Sequence, residues 1–350
     1  MTRLPRFDRS DRVLVFAPHP DDETLAAGIL LQGARAVGAA VRVVFATDGE
    51  NNPWPQRWLE RRWRIGAAER ARWARRRRSE AGEALALLGI DVAREAEFLG
   101  WPDQGLTEVL MRDGEGVARL AAILDAFAPT HVVLPTLADR HPDHSALRVL
   151  LELAMAAAGS TAAKLGYLVH GARDGAAVEP AEAGQSLRKQ QAMEAHASQM
   201  ALSRSRLRAL AARTEAFEPG DRLTRAPAAD GDGLQTRVPW RPGWLPRRHE
   251  LLLVGMADGR VARLRGSVPQ GAGAVRIAPV DGGGPAARAR RVGGTLEIVL
   301  PVAFSSLYAK VHRADPRLLI FDRCGWHAAA EGRPDAAPLA AARPVVASLG

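Results

Sequence analysis

The sequence predicts an α/β protein with a layered parallel sheet flanked by helices, followed by a smaller C-terminal all-β domain. Short apolar runs alternate with helical segments through the first part of the 350 residues, an alternation typical of parallel βαβ units. After about residue 247 the chain carries short β-like runs separated by glycine-rich turns, a pattern typical of a small all-β domain. We therefore predict a Rossmann-like sheet in the first domain and an antiparallel one in the second.

The individual elements are predicted from apolar runs that end in polar turns and from capping residues. Strands of the first domain are predicted at 12–17, 41–46, 97–99, 131–135 and 165–169. Helices are predicted at 23–37, in an Arg-rich stretch that ends at Leu88, at 116–127 and at 145–158. In the second domain, strands are predicted at 250–254, 260–264, 274–277, 295–299, 307–311 and 318–321.

Changes in composition set the predicted domain limits. Residues 1–217 carry the α/β pattern, and 218–247 are rich in Pro, Gly and Asp, which predicts a linker. The small β-rich domain, of unknown role, is predicted at 248–330. The Ala- and Pro-rich segment 331–350 is predicted to be a loosely ordered tail.

Composition excludes several classes of protein. Hydrophobic residues make up 47% of the chain and charged residues 25%, so the chain can bury a sizeable core. The single cysteine, Cys324, excludes a disulfide framework and a Cys-rich metal site. No apolar run is long enough to cross a bilayer, and the first residues lack the apolar core of a secretion signal. We expect a cytoplasmic protein with no transmembrane segment.

Arginine dominates the net charge of +9, and it is concentrated in one segment. Between Arg57 and Arg78 there are ten arginines and only two acidic residues, interleaved with Trp54, Trp58, Trp63 and Trp73. One interpretation is a solvated helix face with tryptophans that pack inward. The alternatives are a basic, aromatic lid over a site, or binding to an anionic membrane or nucleic acid. Since no nucleic-acid motif is present, we expect no nucleic-acid partner.

Two polar loops follow apolar strands and carry residues suited to chemistry. One loop spans Pro18–Glu23, after the first strand, and the other spans Asp139–His144, after the strand at 131–135. In doubly wound sheets, ligands bind at the carboxyl ends of the strands. With strand order 3-2-1-4 the two loops would face each other across a crevice. The first loop has no G-x-G-x-x-G, which argues against a dinucleotide.

The residue types in these loops suit a catalytic metal. His19, Asp22 and His144 offer two imidazoles and a carboxylate, a ligand set that zinc prefers and that iron(II) would also accept. Asp21 lies beside the ligands and is a candidate general base for a water whose pKa the metal lowers.

Two further residues of the second loop are assigned supporting roles. His141 is a candidate to hydrogen-bond or protonate a developing oxyanion. Asp143 is a candidate to orient a histidine without touching the metal.

These motifs resemble those of the PIG-L/LmbE-like family of zinc-dependent N-deacetylases. The specific matches are Ala17-Pro18-His19-Pro20-Asp21-Asp22-Glu23 and His141-Pro142-Asp143-His144, within a resemblance that covers about residues 10–215. Looser matches lie at Thr47–Glu50, Arg77, Phe98–Asp103 and Lys189–Gln199. The resemblance implies His19, Asp22 and His144 as zinc ligands, Asp21 as base and His141 as oxyanion partner. It also implies Arg77 and Asp103 as possible sugar contacts.

The resemblance implies hydrolysis of an N-acetyl group on an amino sugar or glycoconjugate. Two alternatives remain open: an amidase that acts on a longer N-acyl or thiol-conjugate substrate, and a non-catalytic protein that binds a glycan or polyanion. The first is motivated by the Trp-rich segment near the substrate mouth. The second is motivated by the basic segment and by the β-rich domain, which the resemblance does not cover. We also expect His196 to border the site or tie a helix to the core. His170 could point into the crevice, but we expect it to be a satisfied or solvated side chain.

Overall fold

The computed structural model describes residues 6–171, 175–178, 180, 182–219, 234–240, 248–269, 271, 273–313 and 325–329. The strands of the first sheet are β1 (Arg12–Ala17), β2 (Ala40–Thr47), β3 (Ala96–Trp101), β4 (His131–Pro135), β5 (Ala163–Tyr167), β6 (Ala176–Val178) and β7 (Glu215–Pro219). The helices are α1 (Asp22–Ala36), α2 (Pro53–Glu60), α3 (Ala67–Leu87), α4 (Val92–Glu95), α5 (Leu106–Arg112), α6 (Glu115–Phe127), α7 (Pro142–Ala157), α8 (Ala183–Ala195) and α9 (Ala197–Ala211). No helix of these segments is long and apolar enough to span a membrane.

The first sheet is mixed, with strand order β3-β2-β1-β4-β5-β7-β6. β1 pairs in parallel with both β2 and β4, while β7 runs antiparallel to β5 and to β6. The mixed α/β architecture of the first domain is therefore confirmed. Because β1 and β4 are neighbours, the loops that follow them lie side by side at one edge of the sheet, as the predicted order required.

Helices cover both faces of this sheet, which explains why its central strand is apolar throughout. Along β1, Val13 and Val15 join one core cluster, together with apolar residues of α1, α3, α8 and α9. The alternate residues Leu14 and Phe16 join the other cluster, together with residues of α5, α6 and α7. The two-residue period of a strand thus divides β1 between two cores.

A buried ion pair ties the late helices to α1. Lys189 Nζ lies 2.7 Å from Glu215 Oε1 and donates to the carbonyl of Leu25 at 3.1 Å. The Glu215 carboxylate accepts the backbone N–H groups of Ile29 and Leu30, at 2.7 Å and 3.0 Å. The pair therefore satisfies backbone groups inside α1, the helix that begins at the first polar loop.

The second sheet is antiparallel. With its strands numbered in chain order, they are arranged as β15-β14-β9-β10-β11-β12-β13-β8. Its strands are β8 (Leu234–Pro239), β9 (His249–Ala257), β10 (Arg260–Ser267), β11 (Val275–Pro279), β12 (Ala287–Val292), β13 (Thr295–Leu300), β14 (Ser306–Arg313) and β15 (His327–Ala328). Leu252, Val254 and Met256 of β9 belong to the same apolar cluster as α5 and α7 of the first domain. The second sheet is therefore packed directly on the first domain.

Several elements differ from the sequence prediction. The predicted linker 218–247 includes β8, whose alternating Thr236 and Val238 are buried in the second sheet. The Arg-rich stretch forms two helices, α2 and α3, instead of one. The strands β6, β7 and β12 and the helices α5, α8 and α9 were not predicted as elements. The predicted strand 318–321, Cys324 and the tail 331–350 lie outside the described residues, and the domain limits stay a prediction.

Candidate active site

The loops after β1 and β4 bring the three predicted metal ligands together. The carboxylate Oδ2 of Asp22 lies 3.2 Å from His19 Nδ1 and 3.1 Å from His144 Nε2. The ring centroids of the two histidines are 5.5 Å apart, and all three side chains are buried. The predicted meeting of two distant stretches of chain is thus present in the fold.

The spacing of Asp22 Oδ2 from each histidine nitrogen is that of neighbouring ligand atoms around a metal ion. Zinc with bonds of about 2.0–2.1 Å to tetrahedral ligands separates neighbouring ligand atoms by about 3.3 Å. Neither ring nitrogen of the buried His144 makes a well-aligned hydrogen bond with any described residue. A buried histidine without such bonds is suited to donate a lone pair to a cation. Close trios of possible ligand atoms, within 4.8 Å of one another, are His19–His141–His144, Asp22–His144–His170 and His19–Asp103–Asp143.

Asp139 is a residue whose role the sequence interpretation missed. Its Oδ2 lies 3.0 Å from His144 Nδ1 and accepts the backbone N–H groups of Val169 and His170, at 3.0 Å and 3.1 Å. Burial acts to raise the pKa of Asp139, but the nearby His144 holds that pKa far below its usual value. The carboxylate is therefore placed to fix the ring of His144 with Nε2 turned toward Asp22. The sequence signal for this role was the position of Asp139 in the same polar loop as His144.

Asp143 and Asp103 both face the outer nitrogen of His19. Asp143 Oδ2 and Asp103 Oδ1 each lie 3.2 Å from His19 Nε2. Asp143 also accepts the backbone N–H groups of Gln104 and Leu106, at 2.7 Å and 3.1 Å. Asp143 thus contacts a histidine as predicted, whereas Asp103, predicted as a sugar contact, lies against the candidate ligand His19 as well as lining the cavity.

Asp21 adopts a backbone conformation that few non-glycine residues tolerate. Its φ is 123°, and its N–H donates to Glu23 Oε2 at 2.9 Å. Burial raises the pKa of Asp21 to about 6, although the positive charge of Arg77 opposes the shift. Strained residues of this kind are held in place by their surroundings and cluster at functional sites.

Arg77 joins the first loop to the loop after β2. It donates to the carbonyl of Gly49 at 2.8 Å and to the carbonyl of Pro20, and its Nη2 lies 3.3 Å from Asp21 Oδ2. A Cβ atom on Gly49, which has a φ of +63°, would lie 1.6 Å from the guanidinium. The contacts of Arg77 are thus to the protein, and they position the candidate base.

His196 connects the late helices to the same loop. It lies between α8 and α9, and its Nε2 is 3.0 Å from Glu23 Oε1. Thr24 Oγ1 also donates to this oxygen, at 2.6 Å. Because Glu23 accepts the N–H of Asp21, His196 supports the strained residue through one intermediate side chain. Of the two roles expected for His196, the structure shows the tie of a helix to the buried interior, since His196 is buried and does not line the cavity.

His141 and His170 complete the group of histidines. Nδ1 of His141 accepts the backbone N–H of Asp143 at 3.3 Å, so its ring proton lies on Nε2. Burial and the charges of His19 and His144 lower the pKa of His141 well below its usual value, which keeps the ring neutral. His170, expected to be satisfied or solvated, lines the cavity, with its centroid 5.1 Å from that of His144.

A cavity of about 160 Å³ opens onto these groups. It is lined by the candidate base Asp21, by the candidate ligands His19 and Asp22, and by residues of α9 and of the start of α2. The lining residues are His19, Asp21, Asp22, Leu25, Asn52, Pro55, Arg77, Asp103, Gln104, His141, His170, Gln199, Ser203, Arg206, Leu207 and Leu210. The predicted site residues that touch this space are therefore Asp21, His19, Asp22, His141, Arg77 and Asp103, while His144 and Asp143 lie behind it.

Comparison with known proteins gives a family match. The family model described as PIG-L, GlcNAc-PI de-N-acetylase, matches residues 14–158. The chain is 34% identical over 179 residues to the 1D-myo-inositol 2-acetamido-2-deoxy-alpha-D-glucopyranoside deacetylase of Mycolicibacterium vanbaalenii, which covers 45% of this chain and 59% of that protein. It is 35% identical over 154 residues to the protein of the same name from Mycobacterium sp. strain KMS, covering 38% and 46%. The chain thus spans about half the length of the curated relatives it matches.

Two solved structures match part of this chain. A conserved protein from Thermus thermophilus is 26% identical, with a TM-score of 0.47, covering 60% of this chain and 94% of that one. The N,N'-diacetylchitobiose deacetylase of Pyrococcus horikoshii is 21% identical, with a TM-score of 0.48, covering 60% and 83%. The family match contains both polar loops of the site, whereas His196 and the second sheet lie beyond its last residue.

Proposed function

Residues 14–158 constitute a PIG-L family domain, and we propose that this protein is a metal-dependent hydrolase that removes an N-acetyl group from an amino sugar or glycoconjugate. The observation that carries the proposal is the meeting of His19, Asp22 and His144, with Asp21 at the wall of the same cavity. The curated relatives are named as deacetylases of an acetamido sugar, which supports the same reaction class.

His19, Asp22 and His144 would hold the metal, which we propose to be zinc, with iron(II) as the other cation that this ligand set accepts. A bound divalent ion supplies Lewis acidity, which lowers the pKa of water and polarises an amide carbonyl. Asp139 orients His144, and Asp143 faces His19 from outside the ligand set. These carboxylates fix the rings, so that the ligand nitrogens stay aimed at one point.

Asp21 is proposed as the general base. It takes a proton from the attacking water and later returns that proton to the amine that leaves. Three contacts hold its carboxylate toward the cavity: the N–H bond to Glu23, the support of Glu23 by His196, and the guanidinium of Arg77. Each contact opposes relaxation of a backbone strain of about 1–3 kcal/mol.

His141 is proposed to stabilise the tetrahedral oxyanion. Its neutral ring carries a proton on Nε2, and a hydrogen bond from that atom is worth most where charge develops. Arg77 and Asp103 are proposed as substrate contacts in addition to their contacts within the protein, because both line the cavity. We further propose that the parallel part of the first sheet is Rossmann-like, on the strength of its order β3-β2-β1-β4-β5.

Release of acetate tests this function. Metal-free protein would be reloaded with zinc or iron(II) and assayed on a panel of N-acetyl amino sugars and their glycosides. We expect acetate release that depends on added metal and is lost in the variant His144→Ala. Metal binding without acetate release from any acetylated sugar would contradict the proposal.

A longer-chain amidase is the second candidate, and the exposed tryptophans near the cavity favour it. The same panel with N-octanoyl in place of N-acetyl separates the two, because an acyl pocket changes kcat/KM with chain length. We expect acetyl to be preferred.

A further inference from the structure

Four large apolar side chains form an exposed patch on α2 and on the loop that follows it. Trp54, Trp58, Leu59 and Trp63 are 56%, 67%, 38% and 80% exposed, and we refer to them as the tryptophan patch. The other tryptophans of the described residues are buried or half-buried. Contiguous exposed apolar side chains of this size mark surfaces that bind something.

The patch cannot turn inward, because the opposite side of α2 is anchored. Gln56 is fully buried, and its Nε2 donates to the carbonyl of Glu69 at 2.7 Å and to Glu60 Oε1 at 3.0 Å. Trp54 and Trp58 are four residues apart and therefore share one face of the helix. With Gln56 fixed inside, that face is held outward.

The surroundings of the patch are basic. Arg61 and Arg64 form no ion pair with a carboxylate of the described chain. The nearest acid on α2, Glu60, is engaged by Arg72 at 2.6 Å. Its charge is therefore compensated, and the patch faces solvent with an excess of free guanidinium groups.

One arginine sits between two of the rings. The guanidinium carbon of Arg57 lies 5.0 Å from the ring centroid of Trp54 and 5.5 Å from that of Trp63. Its Nε also donates to the carbonyl of Trp63 at 3.0 Å. These contacts occupy a face of each ring, so the two rings are not free to stack a sugar from both sides.

The patch adjoins the mouth of the cavity. Asn52 and Pro55, at the start of α2, line the cavity on one side, and α9 lines it on the other. The two helices pack together, and Leu202 of α9 is also exposed, at 51%. Exposed apolar side chains are thus present on both helices that contribute to the cavity lining.

We propose that the tryptophan patch and its arginines dock this protein on the surface of a membrane that contains anionic lipids, with the cavity mouth toward the headgroups. Indole rings favour the boundary between headgroups and acyl chains, and arginine is attracted to an anionic leaflet. Protruding, arginine-flanked rings suit a lipid surface better than a glycan, which stacks on open ring faces. The docking does not depend on the reaction. A substrate carried on a lipid would follow from it, and that extension rests on the proposed function.

Vesicle sedimentation of the full chain tests the docking. Vesicles of phosphatidylcholine alone would be compared with equal mixtures of phosphatidylcholine and phosphatidylglycerol, at low and high salt. We expect partition onto the mixed vesicles that weakens as salt is added. The variant Trp58→Ala/Trp63→Ala is expected to partition about tenfold less. Arg61→Gln/Arg64→Gln is expected to lose about fivefold per arginine on the anionic vesicles only.

Matched controls lie on the exposed face of the second sheet. Val292→Ala/Val299→Ala and Arg276→Gln/Arg288→Gln remove exposed side chains of the same kinds and are expected to partition as the wild type does. Acetate release from a soluble N-acetyl glycoside should be equal in all of these variants, since none of the changed residues lines the cavity.

Three results would overturn the proposal. They are a wild-type protein that stays in solution with the mixed vesicles, a tryptophan variant that partitions as the wild type does, and binding to a soluble acidic polysaccharide in place of vesicles. If the wild type binds the vesicles and the variants bind them less, but no acetate is released, the result would contradict the proposed function and leave the docking proposal standing.

Discussion

Asp139 provides a sharp test of how the site holds its metal, because it touches neither the proposed cation nor the cavity. Its Oδ2 is shared by His144 Nδ1 and the N–H groups of Val169 and His170, all within 3.1 Å. Asp139→Asn keeps the shape but removes the charge that faces His144 Nδ1 at 3.0 Å. An interaction that involves a charged group is worth about 1–1.5 kcal/mol more than one between neutral groups. The loss of about 1.5 kcal/mol corresponds to roughly tenfold weaker metal binding, at the low end of the 10–100-fold that partners of ligand histidines typically contribute.

Competition for zinc between the protein and a chromogenic chelator measures this change. Asp125→Asn is the matched control, since Asp125 is exposed on α6 and its substitution should leave zinc affinity unchanged. Thermal melting of the metal-free proteins shows whether the fold is kept. A zinc affinity for Asp139→Asn equal to that of the control, with the fold intact, would refute the idea that this carboxylate fixes the ring of His144.

Three further predictions follow from named contacts. Asp21→Asn should lower the rate of acetate release by about 10²–10⁴-fold while zinc affinity in the chelator assay stays unchanged, and full activity would contradict the assignment of the base. His196→Ala should lower kcat by about tenfold or more, because Glu23 loses a charged partner. Zinc affinity should be kept, and His196→Gln should restore part of the rate. Equal kcat in the wild type and His196→Ala would show that the tie is only structural. Lys189→Met should lower the free energy of unfolding by about 3–5 kcal/mol in denaturant titrations, because it leaves the Glu215 carboxylate buried and unpaired. The double variant Lys189→Met/Glu215→Gln should recover part of that loss. An unchanged unfolding midpoint in Lys189→Met would contradict the stabilising role of the ion pair.

The sequence predicted which residues meet at the candidate site, because those residues are concentrated in two short loops. Parallel strands place their carboxyl ends at one edge, so His19 and His144 could be expected to meet although they are far apart in the chain. Asp139 and Glu23 lie in the same motifs, but their roles depend on which neighbour each oxygen faces. His196 is 173 residues from Glu23, and only the docking of α8 and α9 on α1 brings the two together.

The tryptophans show where sequence periodicity was insufficient. Inward packing was one interpretation for all four, and it is right for Trp73, which is fully buried on α3. It is wrong for Trp54, Trp58 and Trp63. Helix α2 ends at Arg61, which has a left-handed backbone conformation, so these three residues do not continue the face of α3 on which Trp73 is buried. The buried, hydrogen-bonded Gln56 fixes which side of α2 faces inward. A hydrophobic pattern does not identify such a residue, because it is polar.

The packing of the second sheet changes what a truncation could reveal about it. The sequence leaves open that this domain binds a glycan or polyanion, and removal of the chain after Glu218 would be the direct test of that idea. However, Leu252 and Val254 share an apolar cluster with α5 and α7, and the buried Arg263 donates to the carbonyl of Leu110 at 2.8 Å. Truncation would expose this cluster, and a loss of activity would then report a loss of stability. The role of the sheet in binding is therefore better tested with single substitutions of its exposed side chains, which leave the apolar cluster intact. A change in KM with an unchanged melting temperature would indicate contact with substrate.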